Sequence, residues 1–273
     1  MSRKNLETIL GISVLLTSML ACNLGSIAPS DSPTYDPNSE GTPSPEISEA
    51  PTEAAPIEGS GSSIGACSNP YLPILQGATW DYTLTGPVPD TFTRSIISVE
   101  AEGFIDQDVF GTGVTRQGQW KCENGNLIAL NPSGGESASV STEGMSVEYE
   151  TTAIEGVTLP ASINPGDSWS QSLTLEGAQT INGEAFPASN QTTQTCTAAG
   201  VESVTIPAGT FDAMRVECQV NMNITLEMSG SPFATSIALT NTNWYAIKVG
   251  LVKTVSTGSG LDSTIELTSY SIP

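Results

Sequence analysis

The stretch of sequence that decides the fold is residues 214–228, which read MRVECQVNMNITLEM. Apolar side chains or cysteine occupy every second position, and polar side chains fill the positions between them. A strict period of two over this length predicts a β-strand with one buried face and one solvated face. At about 3.3 Å per residue such a strand spans about 50 Å, so it must bend within a coiled, strongly twisted sheet.

Other parts of the chain repeat this alternation. Segments that begin at Trp80, Met145 and Trp169 alternate in the same way, and residues 243–254 are apolar enough for a strand covered on both faces. Turn-forming Gly, Pro and Asn residues separate these runs, and no helical period is sustained among them. We therefore predict one all-β domain over residues 67–273, a single antiparallel, strongly curved sheet or half-barrel of roughly ten strands.

Two regions precede this domain. Residues 1–21 carry Arg3 and Lys4 and then an apolar run too short to cross a bilayer, which is typical of a signal peptide. Residues 22–66 are rich in Pro, Ser and carboxylates and hold no Lys or Arg. Such a segment cannot bury enough apolar area to offset the entropy of ordering its backbone. We expect a disordered tether with a mean reach of about 35–40 Å.

The end of the signal peptide, Met19-Leu20-Ala21-Cys22, resembles the bacterial lipobox, in which the cysteine is lipidated and becomes the first mature residue. The resemblance implies that lipid on Cys22 joins the chain to a bacterial membrane. Asn23 is not the Asp that often retains lipoproteins at the inner membrane. We therefore expect the outer membrane if the cell has one, and otherwise the outer face of the cytoplasmic membrane. The alternative is a chance cysteine after a plain signal or an uncleaved anchor.

Composition and charge exclude several classes of function. The formal net charge is −21, which opposes binding to phosphate backbones, so we expect no nucleic acid partner. The chain contains no histidine. This excludes Ser-His-Asp catalysis, His-ligated metals and imidazole pH switches. We expect no cofactor, no metal and no enzymatic activity.

The expected mature chain contains four further cysteines, which in an exported protein predicts two disulfides. Cys196 and Cys218 lie at equal distances from Pro207, the expected centre of a hairpin turn. A hairpin folded there places the two cysteines opposite each other and within bonding distance. Cys67 then pairs with Cys122 by elimination. Free buried thiols are the alternative.

The same hairpin register makes a prediction for the neighbouring positions. It places Ala198 opposite Val216, and Gly200 opposite Met214. A residue without Cβ leaves room for a large partner, so we expect a bulge or bend at Gly200.

Paired carboxylates are the one catalytic chemistry that this composition leaves open. Asp106/Asp108 and Glu148/Glu150 share a face if their segments are strands. Glycosidases need two carboxyls about 5–9.5 Å apart, one of them with a raised pKa. We expect both pairs on solvated faces, and no spacing ranks one above the other. A calcium site on Asp106, Asp108 or residues 123–126 is a further alternative, without EF-hand spacing.

Three segments together carry a family resemblance. They are Tyr71-Leu72-Pro73 ahead of residues 77–82, residues 204–211 with their Pro-Ala-Gly-Thr-Phe element, and Trp244-Tyr245-Ala246 ahead of residues 249–253. The chain resembles bacterial surface lipoproteins of unknown function with a curved antiparallel sheet, similar in outline to periplasmic lipoprotein carriers. The resemblance implies a fold and an extracytoplasmic location, and it supplies no catalytic residue.

These observations lead to three hypotheses of function. The leading one is a non-enzymatic, membrane-anchored module that binds an unidentified surface ligand or envelope protein with the concave face of its sheet, or has a structural role in the envelope. The first alternative is a carboxylate-dependent hydrolase acting on surface polysaccharide. The second is a groove for a lipid or acyl chain, which Met214, Met222 and Met228 would suit, although ordinary core packing also explains them.

Overall fold

The computed structural model describes residues 65–131, 139–142, 145–181, 183–228 and 230–273. The predicted signal peptide, Cys22 and residues 22–64 of the predicted tether lie outside the described residues. The described chain opens with a short 3-10 turn at Gly65–Cys67. Thirteen strands follow: β1 Thr79–Thr85, β2 Asp90–Glu100, β3 Gly103–Phe110, β4 Thr115–Glu123, β5 Asn126–Ala129, β6 Ser139–Thr142, β7 Met145–Gly156, β8 Ser168–Ile181, β9 Glu184–Ile206, β10 Gly209–Met228, β11 Ser231–Ala246, β12 Gly250–Thr257 and β13 Ser263–Ser271.

All of these strands belong to one antiparallel sheet, in the order β3-β2-β1-β13-β12-β11-β10-β9-β8-β7-β6-β4-β5. β3 also pairs with β4. The line of hydrogen-bonded strands therefore returns to its start, and the sheet encloses its own concave face. The prediction of a single, strongly curved antiparallel sheet is confirmed, with thirteen strands instead of roughly ten.

One-residue bulges bend the sheet along its circuit. The extra residues are Ile97 in β2, Thr152 in β7, Ala199 in β9, Val252 in β12 and Thr268 in β13. A bulge increases the local right-handed twist and bends its strand. Bulges of this kind supply the curvature that a sheet needs before its first and last strands can meet.

The deciding stretch lies within β10, which pairs with β9 on one side and β11 on the other. Six of its eight apolar positions are buried as the alternation predicts, namely Met214, Val216, Cys218, Val220, Met222 and Leu226, and Ile224 and Met228 are half-buried. The polar positions between them are exposed or half-buried. The strand therefore forms one wall of the enclosed core.

Residues 243–254 do not form the single strand that their apolar content predicts. They form the end of β11, a turn and the start of β12. Lys248 has a φ of 64°, which lies in the left-handed region outside that of β-strands. The turn is also closed by a hydrogen bond of 3.1 Å from the Val249 N–H to the Ala246 carbonyl oxygen. The alternation did not reveal this turn because Ile247 and Val249 on either side of Lys248 are apolar.

The hairpin between β9 and β10 departs from the predicted register. Gly209 pairs with Ile206, so the turn consists of two residues, and Pro207 is not its sole centre. The prediction that Gly200 faces Met214 was wrong, because Gly200 lies opposite Arg215. The predicted bulge is present, and its extra residue is the neighbouring Ala199.

The tip of this hairpin docks on a distant strand. The Ala208 N–H donates a hydrogen bond of 3.1 Å to the carbonyl oxygen of Leu267 in β13. The pairing of β12 with β13 stops at Lys253 and Glu266, so the tip reaches an edge of β13 that β12 does not cover. Ile206 is buried there. The Pro-Ala-Gly-Thr-Phe element thus places the tip of one hairpin against another part of the sheet.

The segment ahead of β1 closes one end of the sheet. Cys67 is disulfide-bonded to Cys122 in β4. The Asn69 amide donates to the carbonyl oxygens of Gly125 and Pro160, at 2.8 and 3.1 Å. We call this end the tethered end; it holds residues 65–78 and the turns that follow β2, β4, β9 and β11. Neighbouring strands are antiparallel, so the turns after β1, β3, β8, β10 and β12 lie at the opposite, free end.

Candidate functional site on the concave face

Three charged side chains enter the concave face from β2 and β3. Arg94 follows the phase of the buried Phe92, and Asp106 and Asp108 follow the phase of the buried Phe104. Side chains of one phase point to one face of a strand, so all three point into the enclosed space. Asp106 and Asp108 are only 7% and 6% exposed. The expectation that this pair lies on a solvated face was wrong.

Arg94 binds Asp108 through two parallel hydrogen bonds. Its Nε lies 2.8 Å from Asp108 Oδ1, and its Nη2 lies 2.9 Å from Asp108 Oδ2. The same Nε is 3.8 Å from Asp106 Oδ2. We call Arg94, Asp106 and Asp108 the interior charge cluster. Bidentate pairing of this kind is the strongest geometry available to an arginine and a carboxylate.

Burial and charge pairing shift the pKa values of Asp106 and Arg94 from their ordinary values. Burial raises the pKa of Asp106, while the Arg94 guanidinium and the Trp120 indole N–H act in the opposite direction. Burial disfavours the charged form of Arg94, but its contacts with Asp108 outweigh this and raise its pKa. Burial also raises the pKa of the nearby Tyr245, to about 12. The cluster therefore keeps its arginine charged, and burial opposes the ionisation of Asp106.

A glycine makes room for one of the carboxylates. Gly118 in β4 lies directly opposite Asp106 in β3. A Cβ built on Gly118 would overlap Asp106 Oδ1 and would lie 3.2 Å from the Trp120 indole nitrogen. A residue without Cβ is thus required where the carboxylate approaches the neighbouring backbone.

Stacked aromatic rings line the wall beside the cluster. Tyr82 stacks on Phe92, and Phe92 stacks on Phe110, with 4.9 Å between ring centroids in each pair. The guanidinium of Arg116 lies 4.1 Å from the centroid of Phe110. The Tyr82 hydroxyl donates to the Leu251 carbonyl oxygen at 2.8 Å. These contacts fix the wall that carries Arg94 and so hold the cluster in place.

Polar side chains also enter the concave face from the far side of the circuit. The Thr254 hydroxyl in β12 donates to Asn243 Oδ1 in β11 at 2.9 Å. The Thr192 hydroxyl in β9 donates to Asn190 Oδ1 at 3.0 Å, and both side chains are buried. The concave face therefore combines an apolar core with several hydrogen-bonded polar groups.

Two of the three methionines of β10 are packed in the core, and the third, Met228, is half-buried. Met214 and Met222 are 4% and 2% exposed and belong to the main hydrophobic core. That core also contains Phe92 and Ile96 from the wall that carries Arg94. Side chains from both walls thus pack together where an acyl chain would have to lie, and this supports the ordinary-core interpretation of the methionines.

A cavity of about 470 Å³ lies against β1, β2 and β3. Its lining includes Asp81, whose carboxylate accepts hydrogen bonds from Ser269 at 2.6 Å and Thr93 at 2.7 Å. These hydroxyls lower the pKa of Asp81. Asp106 and Asp108 are not among the lining residues. The buried carboxylate pair therefore does not open into this cavity.

The other candidate residues of the sequence lie apart from the cluster. Glu148 and Glu150 are exposed on β7. Across the ranges that the structure describes, no three His, Cys, Asp or Glu side chains converge as metal ligands would, so the calcium alternative gains no support. Those same ranges hold no helix of the length and hydrophobicity needed to cross a bilayer.

Sequence reasoning selected Asp106 and Asp108 and missed Arg94. A signal was present, because Arg94 occupies an apolar phase of its strand between Phe92 and Ile96. A charge at a position that alternation assigns to the core is expected to have a buried partner. Only the pairing of β2 with β3 shows that Asp108 is that partner.

The sequence of this chain matches one protein family. A family model described as DUF3108-like matches residues 108–266, more than half of the chain. The chain belongs to the DUF3108-like family. The match begins at Asp108 of the interior charge cluster and ends within β13. No curated protein matches the sequence.

Three solved structures resemble this member of the family. One is a protein from Bacteroides fragilis described as exported and as having a YmcC-like fold, with 16% identity, a TM-score of 0.48 and coverage of 75% of this chain and 100% of that one. The second, described as a lipoprotein, comes from Parabacteroides distasonis, with 17% identity, a TM-score of 0.47 and coverage of 74% and 99%. The third is the hypothetical lipoprotein YmcC from Escherichia coli, with 13% identity, a TM-score of 0.35 and coverage of 74% and 87%.

Proposed function

We propose that the mature chain is a lipoprotein, held on the extracytoplasmic side of a bacterial membrane by lipid on Cys22, whose β domain is a non-enzymatic binding module. The observation that carries the binding role is the polar content of the concave face. Arg94, Asp106 and Asp108 are charged groups placed where a purely structural core carries apolar ones. Replacing a buried ion pair by apolar side chains is often neutral or stabilising, so stability alone does not account for the cluster.

The position of the predicted tether supports a ligand approaching from the free end. The described chain begins at Gly65, and the Cys67–Cys122 disulfide fixes this entry to β4 at the tethered end. In the proposed arrangement the tether therefore enters the domain at this end. The free end points away from that attachment and is open to molecules of the cell surface.

The binding role is tested by thermal denaturation with added ligand. The probe is a set of soluble oligosaccharides cut from the surface polysaccharide of the source cell, added to the wild-type protein and to an Arg94→Met/Asp108→Leu variant. A ligand that binds only the folded protein raises its melting temperature, by an amount that grows with concentration. We expect a rise in the wild type that the variant lacks. Equal rises in both proteins, or no rise in the wild type, would contradict binding of these probes at the cluster.

The anchor is tested separately by labelling cells with an alkyne-bearing fatty acid. We expect label on the wild-type protein and none on a Cys22→Ala variant, which is released or remains unprocessed. Label and membrane retention that persist in the variant would rule out Cys22 as the lipidated residue.

One observation favours a carboxylate-dependent hydrolase as a second candidate. Asp106 and Asp108 share a face, and burial raises the pKa of Asp106, as a general acid requires. Against this, Arg94 occupies both oxygens of Asp108. The test incubates surface polysaccharide with the wild-type protein and with Asp106→Asn, and measures new reducing ends. We expect none with either protein, and release by the wild type alone would establish the hydrolase instead.

A further inference from the structure

We infer that the turn between β11 and β12, with Ile247 and Lys248 at its tip, contacts the membrane surface when the lipidated chain is anchored. The inference rests on the proposed lipid anchor and extends it to the orientation of the domain. Ile247 is 59% exposed, although it is a large apolar residue. Its neighbour Lys248 is also exposed. An apolar side chain beside a basic one suits the boundary between acyl chains and lipid headgroups.

The turn is held rigidly with Ile247 outward. The Lys248 N–H donates to the Pro70 carbonyl oxygen at 2.8 Å, and the Trp80 indole N–H donates to the Val249 carbonyl oxygen at 2.6 Å. Trp80 is itself only 1% exposed. The backbone that follows Ile247 is therefore tied to Pro70 and Trp80, with the Ile247 side chain exposed.

The turn lies at the end where the tether enters. Pro70, its hydrogen-bond partner, follows Gly65 by only a few residues, and Gly65 is where the described chain begins. The predicted tether joins lipidated Cys22 to this same end. In the proposed arrangement the tether joins the domain near Ile247, and this favours a lipid surface as the occupant.

The charges at the tethered end favour one orientation. Glu100 and Glu102 flank the turn between β2 and β3, and Glu123 ends β4, and all three are exposed. Anionic headgroups repel these carboxylates and attract Lys248. Of the turns after β2, β4 and β11, the one with Ile247 and Lys248 is therefore the one suited to approach the bilayer.

The first test measures lysine acylation on the native, lipidated protein. The protein is compared in detergent micelles and in vesicles of phosphatidylcholine with a minor fraction of phosphatidylglycerol, and flotation shows independently whether it is anchored. Burying one aliphatic side chain and adding one basic contact gives a population bias of about tenfold or more. We expect acylation of Lys248 to fall by about tenfold in vesicles. Lys121, which lies beside Glu123 at the same end, should change little.

The second test places an environment-sensitive fluorophore on Ile247→Cys or on Val109→Cys. Val109 is 45% exposed near the free end and is the matched control. We expect a blue shift and quenching by brominated lipid at position 247 only. A protein that floats but shows no difference between the two positions, and no protection of Lys248, overturns the membrane contact and leaves the anchor standing. Protection of Lys248 from acylation without quenching at position 247 would instead identify a protein contact at this turn. Failure of the protein to float with the vesicles would overturn both the membrane contact and the lipid anchor.

Discussion

Cys218 lies directly opposite Cys196, with 4.0 Å between their Cα atoms, because β9 contains one extra residue between Cys196 and the hairpin turn. The turn itself has two residues, so an unbulged register would place Cys218 opposite Thr197. The bulge at Ala199 moves the pairing by one position and brings the cysteines together. The symmetrical spacing about Pro207 predicted the right partners because the turn and the bulge offset each other.

The bulge predicts that Gly200→Ala destabilises the protein through its backbone alone. Gly200 has a φ of 143°, and nothing lies within 4 Å of a Cβ built on it. The new methyl group meets no neighbour, so its cost comes from the strained backbone and amounts to about 1–2 kcal/mol of unfolding free energy. Urea denaturation measures it. Ala199→Gly at the exposed neighbouring position is the control, and we expect it to lower the unfolding free energy by less. If Gly200→Ala lowers the unfolding free energy by no more than Ala199→Gly does, the bulge geometry is contradicted.

The interior charge cluster predicts opposite effects of two neighbouring substitutions at neutral pH. The pKa of Asp106 is raised in the folded state, so the folded protein binds more protons than the unfolded chain above about pH 4. Stability therefore falls as the pH rises from there through the raised pKa. Asp106→Asn removes this loss, and we expect a higher melting temperature at neutral pH and no gain below about pH 3.

Asp108→Asn is the matched control for that experiment. It removes the carboxylate that binds Arg94 through two hydrogen bonds and leaves the arginine without its main partner. We expect a loss of about 3–5 kcal/mol in unfolding free energy at neutral pH. Calorimetry across the pH range reports both variants. Two variants that shift the melting temperature equally, in either direction, would contradict the unequal roles of the two carboxylates.

The close approach of Gly118 to Asp106 predicts a strong coupling between these positions. Gly118→Ala forces the Asp106 carboxylate to move, and we expect a loss of about 1–3 kcal/mol in unfolding free energy. In an Asp106→Ala background the new methyl group has more room, so most of that loss should disappear. A double-mutant cycle measured by urea denaturation gives the coupling energy. Additive effects would show that the added methyl group does not act through the carboxylate.

The Cys67–Cys122 disulfide predicts that its removal loosens the tethered end. The bonded residues are 55 apart in sequence, against 22 for Cys196 and Cys218. On the chain-entropy model the longer loop contributes about 4 kcal/mol and the shorter about 3 kcal/mol. We expect a Cys67→Ser/Cys122→Ser variant to become sensitive to proteases within residues 65–78. The Cys196→Ser/Cys218→Ser variant should stay resistant there, and cleavage at the same rate in both would contradict a local role for the first disulfide.

Much of the fold could be predicted because its causes are local. The alternation in residues 214–228 fixes which side chains of β10 are buried, and it does so without reference to any other strand. The absence of histidine and the excess of carboxylates likewise exclude classes of chemistry from composition alone. The turn at Ile247 escaped prediction because Ile247 and Val249 are apolar and the positive φ of Lys248 is visible only in the backbone.

The candidate site depended on tertiary structure. The spacing of Asp106 and Asp108 places them on one face of a strand. Whether that face is solvated or buried depends on which strands close around it. The pairing of β3 with both β2 and β4 encloses that face, supplies Arg94 from one side and Gly118 from the other, and raises the pKa of Asp106 by burial. The sequence by itself determined the all-β class and the buried face of strongly alternating strands such as β10. Only the closed sheet decided which charges are buried and what compensates them, because burial and ion pairing arise from residues far apart in the chain.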